Sequence, residues 1–444
     1  MSSLFNLPTS DSIPDPSSAT DRIVHEEVTP RSSSLDGAVT IEFTSSPQRW
    51  YSPSDSYVLI GFNVHASGGA GTDADPFAFA AVDHDGADPY VGATIAQNAG
   101  ANFFSAVTLQ VNGVLMGTLS SPAQISGLIT KTELSADYVR TVGSSEGLGL
   151  TGAERAEQLF GIKSVADAED RSFFQLSYKP PIGFLRTMRA YPGAQITLQF
   201  TVAPDYGSRV LTGVLDAHSH TIQSQTAVVP TAATDYRVQL TSIKYMAAMM
   251  SPLNSPVIPS SVILPMYEVA SSAHQLPNGL TANSIQTLSY NVPSSTFKIA
   301  ICVQRADAGT GDATRQKELS CFRANIVSQL SCSYAGYSAP GTAYTNARTN
   351  PERPFADFVH STLAAQSGRA TVDTLASYTD SPIYLFRYAK PANDVSSNAT
   401  VRIAFDQGLG TAVNVFCFAY FQSTCSMSYD SSGMCQGAEY AYAS

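Results

Sequence analysis

Three short stretches carry residue types at spacings that chemistry can use. "GSSEG" at 143–147 fits G-x-S-x-G and puts Ser145 in the nucleophile's place. A serine there attacks only from a sharp strand-to-helix turn on top of a parallel sheet, with a histidine delivered from downstream. This chain shows no alternation of strands and helices, and its next histidines lie in a Ser/Thr-rich stretch, so the expectation is a glycine and serine loop. "DAHSH" at 216–220 puts Asp216, His218 and His220 on one face of an extended strand, a spacing suited to a divalent metal. It is the best metal candidate, but no fourth ligand presents itself, and a polar linker is expected instead. "DHDGAD" at 83–88 sets Asp83, Asp85 and Asp88 around Gly86. The bidentate Glu that closes a calcium loop is missing, so this reads as a solvated acidic loop.

Neither a phosphate-cradling G-x-x-x-x-G-K-[ST] nor H-E-x-x-H occurs. No catalytic, cofactor-binding or metal-ligating residue is therefore assigned, and no cofactor is expected. The six cysteines stand at 302, 321, 332, 417, 425 and 435, with no C-x-x-C pair for zinc. Cys302 and Cys417 fall inside strand-like runs and are expected to be buried free thiols. A Cys425–Cys435 bridge would need an oxidising compartment. The sequon at Asn398 matters only in a secreted protein. Aromatics cluster at 171–191 and 416–422, where core packing is the expectation; stacking on nucleic acid would need exposed rings interleaved with cations.

With chemistry unassigned, composition bounds the class. The chain has 444 residues, 43% hydrophobic and only 14% charged, against roughly 25% charged in average soluble proteins. Small polar residues must cover much of the surface, which suits β-sheets that pack on other subunits. A formal charge of −11 without basic runs repels a phosphate backbone, so direct nucleic-acid binding is not expected. No apolar run of about 18 residues and no basic-then-apolar start is present, so neither a membrane span nor a signal peptide is read.

The elements are overwhelmingly strands. Residues 1–37, rich in Ser, Pro and Asp, are expected to form a flexible arm. Strand patterns follow at 38–43, 57–65, 103–117 and 195–204, with one helix expected at 151–162. The stretch "FFSAVTLQVNGVLMG" carries Asn112-Gly113 between apolar runs, the signal for a two-residue hairpin turn with positive φ at both positions. An Ala/Thr/Pro segment at 213–234 reads as a linker. A second series of strands then runs through 236–250, 261–270, 284–292, 296–304, 400–407 and 412–421. The expectation is an all-β chain of two modules, 38–212 and 235–444, with a repeat that is structural and has two copies.

The order of these pieces resembles the double jelly-roll major capsid proteins of icosahedral double-stranded DNA viruses, the lineage of virophages, Polinton-like viruses, adintoviruses and nucleocytoplasmic large DNA viruses. The resemblance rests on "NFFSAVTLQVNGVLMG" (102–117), "FFQLSYKPPIGFLRTMRAYPGAQITLQFTVAPD" (173–205), "YRVQLTSIKYMAAMM" (236–250) and "VPSSTFKIAICVQ" (292–304). It implies two consecutive eight-stranded jelly-roll β-sandwiches with long loops and a short helix inserted in the first. It also implies a structural role without catalysis: homotrimers forming pseudo-hexameric capsomers in an icosahedral virion shell. Partners would be neighbouring capsomers, penton and minor capsid or cement proteins, and in some relatives an internal membrane. The alternative from another class is a carbohydrate-binding or adhesive β-sandwich, such as a viral or cell-surface lectin, which predicts exposed aromatics.

Overall fold

The computed structural model describes residues 20–32, 34–66, 93–148, 173–213, 236–252, 258, 260–309, 319–388 and 398–442. The helix expected at 151–162, the acidic loop with Asp83, Asp85 and Asp88, and Asp216, His218 and His220 lie outside them.

The first ten strands are β1 (Thr20–Val28), β2 (Ala38–Thr44), β3 (Trp50–Ala66), β4 (Ala93–Ile95), β5 (Phe104–Val111), β6 (Val114–Leu119), β7 (Phe173–Tyr178), β8 (Gln195–Val202), β9 (Leu211–Gly213) and β10 (Tyr236–Pro252). Two four-stranded sheets, β1-β10-β3-β7 and β2-β8-β5-β6, make the first barrel, while β4 and β9 pair as a separate ribbon. The strands that follow are β11 (Ser261–Leu276), β12 (Gln286–Asn291), β13 (Thr296–Arg305), β14 (Val327–Tyr334), β15 (Tyr337–Thr345), β16 (Ile383–Arg387), β17 (Asn398–Phe405), β18 (Val413–Tyr429) and β19 (Cys435–Tyr442). They give β11-β18-β13-β16, with β19 added on β18, and β12-β17-β14-β15. Counting each barrel's eight strands in chain order, both have sheets 1-8-3-6 and 2-7-4-5. The twofold structural repeat is thus exact in connectivity, and each unit is a jelly roll.

Pairing corrects the expected boundaries. Residues 20–28, assigned to the arm, form β1, which runs antiparallel to β10 from Thr20↔Pro252 to Val28↔Tyr245. β10, expected to open the second barrel, instead lies hydrogen-bonded between β1 and β3 in the first. A jelly roll's first and last strands are neighbours, so the first barrel closes only when the chain returns across 214–235. The linker expectation placed the break one strand too early.

Alternation explains the cores. In β8, Ile196, Leu198 and Phe200 are fully buried, side by side on the sheet's inner face with their ladder partners Val111, Leu109 and Val107 of β5. The hairpin forms as read, with Asn112 at φ 49° and Gly113 at φ 77°. β18 is different, because both its faces are buried. Val413, Val415, Cys417 and Ala419 enter the second barrel's own core, while Phe416, Phe418 and Tyr420 point out of it into the core shared with the first barrel. A strand covered on both faces reads as a continuous apolar run, here "VFCFAYF".

Helices supply the cover over that outer face. α1 (Pro122–Thr132) and α2 (Ala136–Arg140) follow β6, and α3 (Glu352–Ser361) and α4 (Leu375–Asp380) sit between β15 and β16. Pro122 occupies the first turn of α1 and Lys131 its last, the placements that suit a helix's free amides and its dipole. Phe358 of α3 and Tyr378 of α4 pack ring to ring at 5.2 Å and belong to the shared core.

Candidate functional site

The most elaborated polar chemistry lies in the joint between the barrels. α1 carries three of its contacts. At Gly127 the helix meets backbone directly: a Cβ there would stand 2.1 Å from the Ser320 carbonyl oxygen. Lys131 pairs with Asp373 at 3.2 Å, both side chains less than a tenth exposed, and its Nζ donates to the Ser381 carbonyl at 3.2 Å. Ser381 Oγ in turn accepts from the Phe322 amide at 2.9 Å. The Thr132 hydroxyl meets the Tyr420 hydroxyl at 2.8 Å. A buried ion pair is held by geometry as much as by charge, and removing either partner leaves a charge stranded.

Three further polar ties lie elsewhere. Ser320 Oγ donates to the Gln97 carbonyl at 2.5 Å, and Cys321 Sγ donates to Gln97 Oε1 at 3.0 Å. The hairpin Asn112 accepts from the Gln195 amide through Oδ1 at 2.7 Å and donates through Nδ2 to the Cys435 carbonyl at 3.1 Å, linking β5, β8 and β19. Cys435 N also donates to the Gly193 carbonyl at 3.0 Å. Finally, Arg186, in the turn Gly183–Arg186, is ion-paired with Glu133 beside the buried Glu268 of β11.

The sequence candidates fall elsewhere. Ser145 lies in a 3-10 turn, Val142–Glu146, and not on a strand-to-helix elbow. Its hydroxyl donates to the Val142 carbonyl at 2.9 Å and lies 3.1 Å from the Ser177 hydroxyl. A cavity of about 230 Å³ opens beside it, lined by Tyr138, Glu146, Lys179 and Tyr178 among others. Burial raises the Glu146 carboxyl above its ordinary range, opposed by Lys179 and the Tyr138 hydroxyl. Neither a histidine nor Ser145 itself is among the described residues that line this cavity. Among the described residues no group of three His, Cys, Asp or Glu side chains is arranged for a metal.

All six cysteines are free, and five are buried. Burial raises the Cys302 and Cys417 thiols well above their ordinary pKa, which keeps them protonated and inert. The aromatic clusters are core: Phe184, Tyr191 and Phe418 are completely buried. Trp50 is buried too, its indole N–H donating to the Pro47 carbonyl at 2.9 Å. No described helix is long and apolar enough to cross a membrane.

Composition and spacing did not point to Lys131, Asp373, Arg186 or Glu268. The available signal was Glu268 itself, a lone carboxylate inside the apolar strand "LPMYEVA", since ionisable groups in buried strands mark sites where burial has a purpose.

With both barrels and their joint in place, the chain superposes nearly end to end on capsid structures. It covers 96% of its own length and 90% of the matched chain in the Sputnik virophage structure determined by cryo-EM, with a TM-score of 0.61 and 10% identity. The fold is the one these capsid proteins share. The mavirus major capsid protein aligns over 99% of this chain and 93% of its own, at a TM-score of 0.54 and 10% identity. The faustovirus major capsid protein aligns over 91% and 90%, at 0.54 and 9%. No protein-family model and no curated protein matches the sequence. The likeness therefore resides in the double jelly roll's strand order and in the side-by-side barrels, and hardly at all in residue identity.

Proposed function

We propose that this chain is a structural major capsid protein, assembling as a homotrimer into pseudo-hexameric tiles of an icosahedral virion shell, without catalytic activity. The observation that carries the reading is the pair of jelly rolls with identical strand order, joined through a buried cluster that both contribute to. A threefold axis applied to such a unit places six similar barrels in a ring, a closed symmetry that a shell tile requires. The low charge content supports it, because lateral contacts between tiles bury surface that charges would make costly to desolvate. Partners would be further copies of the chain, penton and minor capsid proteins, and in some shells a membrane beneath; its place would be the virion. A lectin-like role draws less support, since among the described large aromatic side chains only Tyr337 stands well exposed.

Mass measurement of the purified protein tests the proposal, followed by electron microscopy under assembly conditions. The expected species is a particle of three 47.1 kDa chains with threefold projections. A stable monomer at every concentration and salt, with no threefold particles, would overturn it.

A further inference from the structure

β11 alternates outward and inward residues, and at Glu268 it turns a carboxylate into the joint, 6% exposed. The first barrel receives it against two glycines. A Cβ on Gly183 would stand 2.5 Å from Glu268 Oε1, and one on Gly117 of β6 would stand 3.8 Å from both oxygens. Two glycines thus form a cradle for this carboxyl group, and Oε1 is buried in it without a hydrogen-bond partner. The charged groups around it are already engaged. Arg186, on the same turn as Gly183, is ion-paired with Glu133 just beyond α1. Lys298 of β13 lies with its Nζ 4.3 Å from the centre of the Tyr420 ring, near Glu133 and Arg387. Tyr420 is tied to Thr132, and the residue across the ladder from Glu268 is the apolar Phe421.

We propose that Glu268 is a proton-operated latch between the two barrels: the contact at Gly117 and Gly183 holds while the carboxyl is protonated and opens locally when the proton leaves. The inference rests on the joint alone and stands whether or not the chain builds a shell. A neutral carboxyl fits the cradle. A carboxylate there has only the Gly183 amide and an arginine shared with Glu133 to oppose its burial, and Oε1 stays unpaired, so ionisation favours a state in which water reaches Glu268. Burial pushes Glu268 from its ordinary 4.5 up to about 7, against the Gly183 amide and Arg186, which pull it down. A pKa that is higher closed than open means that the closed joint's advantage is full below about pH 4.5 and is lost as pH rises through 7. With those two values, the opening constant rises roughly tenfold between pH 6 and pH 8.5.

Hydrogen exchange read by mass spectrometry on the full chain tests this, at pH 6 and 8.5 and corrected for intrinsic exchange rates, in the wild type and in Glu268→Gln. The expected result is a roughly tenfold loss of protection in peptides spanning residues 114–119, 182–186 and 264–270 of the wild type. Glu268→Gln should show no such loss, and peptides from β17 should be unchanged in both. Equal loss in Glu268→Gln, or equal loss in β17, would overturn the latch. Should Glu268→Gln fail to fold, the wild type decides by itself: unchanged protection of the three peptides between the two pH values is equally fatal.

Discussion

Two glycines show how differently one residue type is required. Gly113 has φ 77° and open space where a Cβ would go, so its need is conformational; Gly127 sits inside a helix, and its need is the Ser320 backbone pressed against it. Gly113→Ala should therefore cost about 1–2 kcal/mol, the ordinary penalty of a left-handed residue with a Cβ. Gly127→Ala should cost about 1–3 kcal/mol by overpacking, and should also loosen α1 from the second barrel. Urea unfolding midpoints measure both, and amide exchange in α1 separates them, since only Gly127→Ala should raise it. Asn112 adds a third case, because its side chain reaches Gln195 and Cys435 while its own φ is 49°. Asn112→Ala loses both bonds and keeps the strained backbone, so a loss of about 1–2 kcal/mol is expected in the same assay. The turn was legible from two letters of sequence, but its tie to β19 was not, since nothing local announces a partner more than three hundred residues away.

Among elements, legibility followed burial geometry. β5, β8, β13 and β18 announced themselves by alternation or by unbroken apolar runs, because their residues have one or two fully covered faces. β1, "TDRIVHEEV", did not: it is an edge strand with Glu26 half-buried and Glu27 exposed, and edges carry charge to discourage further pairing. β16 is five residues of "IYLFR", too short for periodicity to separate strand from helix. α1 was missed because its face toward the second barrel includes Gly127, Lys131 and Thr132, residues that look solvent-facing until their partners are seen. Lys131 makes that element's prediction. Lys131→Met leaves Asp373 buried without its cation and should cost about 3–5 kcal/mol. Adding Asp373→Asn removes the stranded charge and should recover part of the loss. A double-mutant cycle by chemical denaturation checks it, and additive losses would show that the pair is not coupled.

At the scale of the whole molecule, the two jelly rolls repeat in connectivity but not in independence. The second barrel has an inner core of its own, but its β11-β18-β13-β16 sheet also buries Phe416, Phe418 and Tyr420 on its outer face, in one cluster with Phe322, α1 and the first barrel's inner residues. Each such side chain contributes about 1.5–3 kcal/mol when fully removed from water, so the outer face of that sheet is as much core as the inner one. The joint is thus part of the folding unit and not a linker between finished domains. It follows that residues 258–444 expressed alone should expose a contiguous aromatic patch and aggregate or bind a hydrophobic dye strongly, while the full chain does neither. A soluble, dye-negative fragment with native-like near-ultraviolet dichroism would mean that the second barrel completes itself. The expected failure bears on the proposed shell tile: two barrels that share one cluster of buried side chains cannot part without exposing it, so a tile built from this chain would carry them as a pair.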